Sequence, residues 1–83
     1  MIVDELEKLR RRAAISHWDL GIEKRTTPIG PVEIEVYQVF LPAWDDRIAA
    51  ALLARFRALQ HPNCPHTAVI VHSERAHISV PLG

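Results

Sequence analysis

The period at which apolar residues recur changes along this chain, and the order of the periods restricts the fold more than any other feature. Within the first sixteen residues the spacing is four, three and four, and the residues concerned are Ile2, Leu6, Leu9 and Ala13. This spacing places them on one stripe of an amphipathic helix. Acidic side chains precede basic ones in the same segment, which complements the dipole of a helix. The chain is therefore predicted to begin with a helix.

From residue 18 onwards apolar and polar residues alternate, which is the period of a half-buried strand. The first such run contains Trp18, Leu20 and Ile22, and the second contains Val32, Ile34 and Val36. The acidic residues of the second run, Glu33 and Glu35, are expected to face water. Residues 26–31 separate the runs and contain two prolines and a glycine. We expect this segment to form a turn without a regular ladder.

A second amphipathic helix is predicted between Pro42 and Pro62. Pro42 fits a first helical turn, and Asp45 and Asp46 place negative charge near unpaired helix-start N–H groups. The apolar face consists of Trp44, Ile48, Leu52, Phe56 and Leu59. The rear carries a strip of small residues, namely Ala43, Ala50, Ala54 and Ala58. This strip either admits another backbone or reflects the high helix propensity of alanine, and the sequence leaves both interpretations open.

The C-terminal segment predicts a rigid connection followed by a hairpin. Two prolines stiffen residues 61–66, residues 68–71 form a buried strand, and residues 73–75 form a turn. The closing strand runs from His77 to Val80. The element order α-β-β-α-β-β predicts an α+β fold, a four-stranded antiparallel sheet with both helices packed on one face. At 83 residues, the chain has room for a single domain, residues 1–83.

Composition excludes several classes of function. With 48% apolar and 24% charged residues the chain falls among globular proteins, and ten basic residues balance ten acidic ones. Zero net charge argues against nucleic acid or an anionic membrane as the main partner. The apolar runs are too short to span a bilayer. Cys64 is the single cysteine, so no internal disulfide forms, and we expect a cytoplasmic protein.

Histidine is the reactive residue type that the chain supplies most generously. Five are present, four of them between residues 61 and 77. His61, Cys64 and His66 are the weak candidates for a metal site, but a fourth ligand would require His72 or His77 to turn inward. We therefore predict no metal, and we interpret Cys64 as a small buried group. Neither a serine-nucleophile elbow nor a glycine-rich phosphate loop is present.

His61 and His77 form the candidate acid–base pair. His61 follows the second helix and His77 opens the last predicted strand, so the final hairpin is expected to bring both imidazoles to one edge of the domain. Two histidines at such an edge exchange protons near pH 7. The alternative is that both are polar surface groups.

Three features together resemble the pterin-4a-carbinolamine dehydratases. They are Trp18 at the start of the first strand, the helix end Leu59-Gln60-His61-Pro62, and the closing strand Ala76-His77-Ile78-Ser79-Val80. Members of that family carry a His-His-Pro motif after the second helix and a further histidine in a late strand. The resemblance implies a pocket lined by Gln60, His61, Pro62 and His77, and no cofactor beyond the substrate.

The first histidine of the family motif is replaced by Gln60, and an amide has no pKa near neutrality. A degraded site of this kind resembles the Rubisco assembly factors of α-type carboxysomes, which belong to the same fold family. The resemblance therefore implies a non-enzymatic binding protein, a homodimer with a protein partner such as Rubisco. The alternatives are an active 4a-hydroxytetrahydropterin dehydratase that uses His61 and His77, and a small metal-binding regulator that uses Cys64.

Overall fold

The computed structural model describes residues 2–59 and 67–82, which form two helices and four strands. The elements are α1 (Ile2–Arg11), β1 (His17–Thr27), β2 (Gly30–Leu41), α2 (Asp46–Leu59), β3 (Thr67–Ser73) and β4 (Ile78–Leu82). Their order confirms the predicted α+β arrangement. Neither described helix is long and apolar enough to cross a membrane.

The four strands form one sheet in the order β1-β2-β3-β4. The outer pairs, β1 with β2 and β3 with β4, are antiparallel, whereas β2 and β3 run parallel. The sheet is therefore mixed, and the expectation of antiparallel pairing throughout is corrected at its centre. The reason is the connection: the chain crosses through α2 between β2 and β3, and such a crossover delivers the second strand in the same direction as the first.

The β1–β2 hairpin is more regular than its sequence predicts. Its ladder continues through the pairs Thr26–Pro31 and Thr27–Gly30, so the turn contains only residues 28 and 29. Gly30 has φ +118°, a conformation that a residue with a Cβ rarely adopts. Pro31 is tolerated because it belongs to a pair that exchanges no hydrogen bonds, and because β3 pairs with β2 only from Glu35 onwards.

Both helices pack on one face of the sheet, as predicted. One cluster of buried side chains joins α1 and α2 to the central strands, and it contains Ile2, Leu6, Leu9, Ile15, Tyr37, Val39, Leu41, Leu52, Phe56, Val69 and Val71. Trp44 packs against this cluster, and its Nε1–H donates to Asp46 Oδ1 at 2.6 Å. Leu6 and Leu52 are fully buried. This face, which we call the core face, contains the main hydrophobic core.

The start of α2 is fixed by Asp45. Its Oδ1 accepts hydrogen bonds from the backbone N–H groups of Arg47 at 2.8 Å and Ile48 at 3.2 Å, which makes Asp45 the N-cap. Pro42 therefore precedes the helix by four residues and does not lie in its first turn. The three alanines of the small-residue strip that lie within α2, Ala50, Ala54 and Ala58, are exposed.

The phase of burial changes within β2. Ile34 and Val36 are buried while Glu33 and Glu35 are exposed, as the alternation predicts. From Tyr37 onwards the buried residues are the odd-numbered ones, which lie on the core face. Because the ladder of β2 continues without a bulge, its even-numbered residues lie throughout on the opposite side of the sheet, which we call the outer face, and Ile34 and Val36 are buried on that side.

Candidate functional site

Most of the residues that the sequence singles out lie between the two described parts of the chain. Gln60, His61, Pro62, Cys64 and His66 lie outside the described residues, so their roles stay predictions. Of the candidates in the dehydratase-like pocket, His77 is the one within the described part of the chain.

His77 does not open a strand, contrary to expectation. It is the last residue of a turn over residues 74–77, and β4 begins at Ile78. Its φ is +52°, in the left-handed region that histidine visits more readily than most residues with a side chain, and it is exposed. The turn also begins one residue and ends two residues later than predicted, because Ser73 still pairs with Ile78.

The sheet register brings other histidines together on the outer face. His17 lies opposite Phe40, Phe40 lies opposite His72, and His72 lies opposite Ser79. Directly opposed residues project from the same face of a sheet. Each of these residues has a neighbour in the chain that belongs to a second row, on the core face. This second row consists of Trp18, Val39, Val71 and Val80. We call these the outer row (His17, Phe40, His72 and Ser79) and the core row.

The three rings of the outer row form a continuous stack. The centroids of His17 and Phe40 are 4.1 Å apart with an interplanar angle of 7°. Those of Phe40 and His72 are 4.5 Å apart at 14°. Both faces of the phenyl ring are therefore covered by imidazoles, and each ring restricts the rotamers of its neighbour.

Hydrogen bonds fix His72 within this stack. Its Nε2 lies 3.1 Å from Gln38 Oε1, and its Nδ1 lies 2.6 Å from Ser79 Oγ. Because a carbonyl oxygen only accepts, Nε2–H donates to Gln38 and Nδ1 accepts the hydroxyl proton of Ser79 in the neutral imidazole. Both nitrogens of His72 are thus engaged, so the inward turn that a four-ligand metal site requires would break two hydrogen bonds.

The geometry of the outer row suits contact better than acid–base chemistry. His17 and His72 lie on opposite faces of Phe40, so no direct proton transfer connects them. Within residues 2–59 and 67–82, no carboxylate pairs with either imidazole. A general base normally needs such a partner to orient it and to stabilise its charged form.

Metal ligation is equally unsupported in the part of the chain that the structure describes. No group of three or more histidine, cysteine, aspartate or glutamate residues converges there. The metal site that the sequence offers through His61, Cys64 and His66 involves residues beyond this part, so that prediction is untested.

The phenol of Tyr37 lies in an environment that disfavours its charged form. Burial raises the pKa of its phenol above 10.0, and the negative charge of Glu35 adds to the increase. Its ring lies on the core face, 6.3 Å from that of Trp18. A phenol in this environment stays protonated at neutral pH, so Tyr37 serves packing and is not a base.

The sequence did not predict the outer row, because the apolar alternation of the second strand was followed only as far as Val36 and His72 was considered only as a metal ligand. A usable signal is present: His17 and Phe40 directly adjoin the core residues Trp18 and Val39, so they project from the opposite face. Their mutual contact depends on the register, which alternation does not supply.

Comparisons of the chain with models of known protein families, with curated proteins and with solved structures found no match. The function must therefore be inferred from the residues themselves.

Proposed function

We propose that this protein is a non-enzymatic, pterin dehydratase-like binding protein that contacts a protein partner through the outer face of its sheet. The observation that carries the proposal is the stack of His17, Phe40 and His72, which combines aromatic surface with hydrogen-bonding edges. Aromatic residues with a polar edge are enriched at protein interfaces.

Preorganisation of the stack supports a binding role. His72 is held by Gln38 and Ser79, and Phe40 is held between two rings. Side chains that are already fixed lose little rotamer entropy when a partner binds, and the loss otherwise costs about 0.5–1.5 kcal/mol for each side chain that becomes ordered. A surface built in this way favours binding over chemistry that requires mobile proton carriers.

The sequence resemblance suggests the first partner to test. Gln60 stands where the dehydratases have an imidazole, which supports a non-catalytic role, and the degenerate subgroup consists of Rubisco assembly factors. We therefore propose Rubisco of the α-carboxysome type as the partner, with assembly or chaperone function in the cytoplasm.

The direct test is calorimetric titration of the full-length protein against this Rubisco. Phe40→Ala and His17→Ala should each weaken binding about tenfold, because they remove aromatic contact area at the centre and at one end of the stack. Arg47→Ala is the control, since Arg47 is exposed on α2 in the helix layer and should leave the affinity unchanged. Circular dichroism confirms that each variant is folded.

Two results would contradict the proposal in different ways. Absence of Rubisco binding by the wild-type protein would remove the partner, and equal affinity of the Phe40 and Arg47 variants would remove the outer face as the binding surface. A spectrophotometric assay with 4a-hydroxytetrahydropterin addresses the enzymatic alternative, because turnover that His61→Ala abolishes would replace binding by catalysis.

A further inference from the structure

The ring stack of the outer row ends in an uncovered imidazole face. Phe40 covers one face of the His17 ring at a centroid distance of 4.1 Å. The opposite face, which we call the open face, points away from β2, and β1 lies at one edge of the sheet. Among residues 2–59 and 67–82 no other ring stacks on His17, and its side chain is exposed. One more planar group therefore fits at this end of the stack.

A carboxylate lies beside the open face. Asp19 is two residues from His17 on β1 and lies opposite Gln38, so both side chains project from the outer face. Asp19 is exposed, and within the described residues no hydrogen bond or ion pair engages its carboxylate. The amide oxygen of Gln38 is bonded to His72 on the other side. Asp19 is therefore an available hydrogen-bond acceptor next to an available ring.

The other carboxylate near the stack has the same preference for cations. Glu74 follows β3 and accepts a hydrogen bond from Ser16 Oγ at 3.1 Å, directly before His17 in the chain. The cation on the outer face of β1 is Arg25, which is already in an ion pair and lies about 20 Å along the strand from Asp19. Carboxylates on both sides of the stack attract a cation and repel phosphate.

Arginine is the side chain that satisfies the ring and the carboxylate together. Its guanidinium is planar and stacks on rings, and its fork of N–H donors matches a carboxylate. The Cα atoms of His17 and Asp19 are about 6.8 Å apart, since each residue of a strand advances roughly 3.4 Å. A guanidinium over the open face therefore reaches the carboxylate through hydrogen bonds of about 2.8 Å. Lysine lacks the plane, and an aromatic side chain lacks the charge.

We propose that the outer face recognises an exposed arginine of its protein partner, whose guanidinium stacks on the open face of His17 and pairs with Asp19. This inference rests on the proposed partner-binding function and names the chemistry that the surface selects. The ring is already supported from behind, because Phe40 lies between His17 and His72 and because two hydrogen bonds hold His72. The binding site is thus ordered before the arginine arrives, which limits the entropy lost on binding.

Titration of the full, ¹⁵N-labelled chain with a capped tripeptide, glycyl-arginyl-glycine, tests this recognition by NMR. The amide shifts should be confined to residues 17–19 and the outer row. The dissociation constant should be about fivefold or more below those of two matched peptides, in which lysine or citrulline replaces arginine. Lysine keeps the charge without the plane, and citrulline keeps the plane without the charge.

Two variants separate the contributions of the ring and the carboxylate. Asp19→Asn should weaken binding of the arginine peptide about fivefold and abolish its preference over citrulline. His17→Ala should abolish the preference over lysine. Glu33→Gln is the matched control, because it makes the same carboxylate-to-amide change at an exposed position on the core-face side of β2, and it should leave all affinities unchanged.

Calorimetry against Rubisco distinguishes failure of this inference from failure of the proposed function. Rubisco binding that Phe40→Ala weakens and Asp19→Asn does not would keep the partner surface and overturn arginine recognition. The converse result, in which the arginine peptide binds with the stated preferences and Rubisco does not bind, would support arginine recognition and remove Rubisco as the partner.

The inference is overturned if the three peptides bind with equal affinity, if none binds at about 10 mM, or if the shifts lie away from His17 and Asp19. It is also overturned if a single-stranded oligouridylate binds the outer row more tightly than the arginine peptide, because the open face would then serve bases. Circular dichroism of each variant verifies that a loss of binding is not a loss of fold.

Discussion

The core row and the outer row occupy neighbouring positions on the same four strands, yet their compositions differ sharply. The core row consists of Trp18 and three valines, of which Val39 and Val71 are fully buried beneath the helices. The outer row consists of two imidazoles, a phenyl ring and a hydroxyl that contact one another. A displacement of one residue along each strand thus separates a surface that stabilises the fold from one that is suited to recognition.

The two phenylalanines of the chain give the largest test of this difference. Phe56 is 2% exposed in the core cluster, and Phe40 is half-buried in the outer row. Phe56→Ala should lower the free energy of unfolding by about 3–5 kcal/mol, because it leaves a cavity that the rigid core does not fill. Phe40→Ala should cost only about 1–2 kcal/mol, since less apolar surface returns to water. Urea denaturation of both variants measures the contrast, and equal losses would show that the outer row belongs to the core.

Two serines, one on each face of the sheet, provide a further test, because replacing them by alanine should change the stability in opposite directions. Ser73 is 2% exposed on the core face and its Oγ has no hydrogen-bond partner among residues 2–59 and 67–82, whereas Ser79 Oγ bonds His72. Ser73→Ala should therefore leave stability unchanged or raise it by up to about 1 kcal/mol, because it removes a hydroxyl whose burial is uncompensated. Ser79→Ala should lower stability by about 0.5–1 kcal/mol. Thermal unfolding of the two variants checks the signs, and a large loss for Ser73→Ala would indicate an undetected partner.

The smallest expected effect concerns Tyr37, which is the single tyrosine of the chain. Burial raises the pKa of this phenol above 10.0, so folding favours the protonated form. The stability that this group contributes is complete below pH 10 and is lost as the pH rises through the pKa of the folded state. The absorbance of tyrosinate at 295 nm should titrate above pH 10 in the folded protein and near pH 10 in urea.

Tyr37→Phe supplies the control for this titration. The variant should lose the absorbance change and the part of the alkaline instability that the phenol causes, while other groups continue to titrate. An unshifted midpoint in the folded protein would mean that the phenol of Tyr37 is in contact with water.

Several elements of the fold were predictable because they depend on local chemistry. The α1 stripe of Ile2, Leu6 and Leu9, the acidic start of α2 at Asp45 and the buried Val69 and Val71 all follow from periodicity and capping. The candidate site was less predictable. The sequence offered His77 as a strand residue, but the structure places it in a turn, since Ser73 pairs with Ile78 and the four residues between them, 74–77, form the turn.

By itself, the sequence determined the kinds of element and their order, because each depends on residues within a few positions of one another. The parallel direction of β2 and β3, the full length of the β1–β2 ladder and the stack of His17, Phe40 and His72 were decided only by tertiary structure. Those features depend on which distant backbones lie side by side and in what register. Long-range packing selects that register, and the local pattern of apolar residues does not encode it.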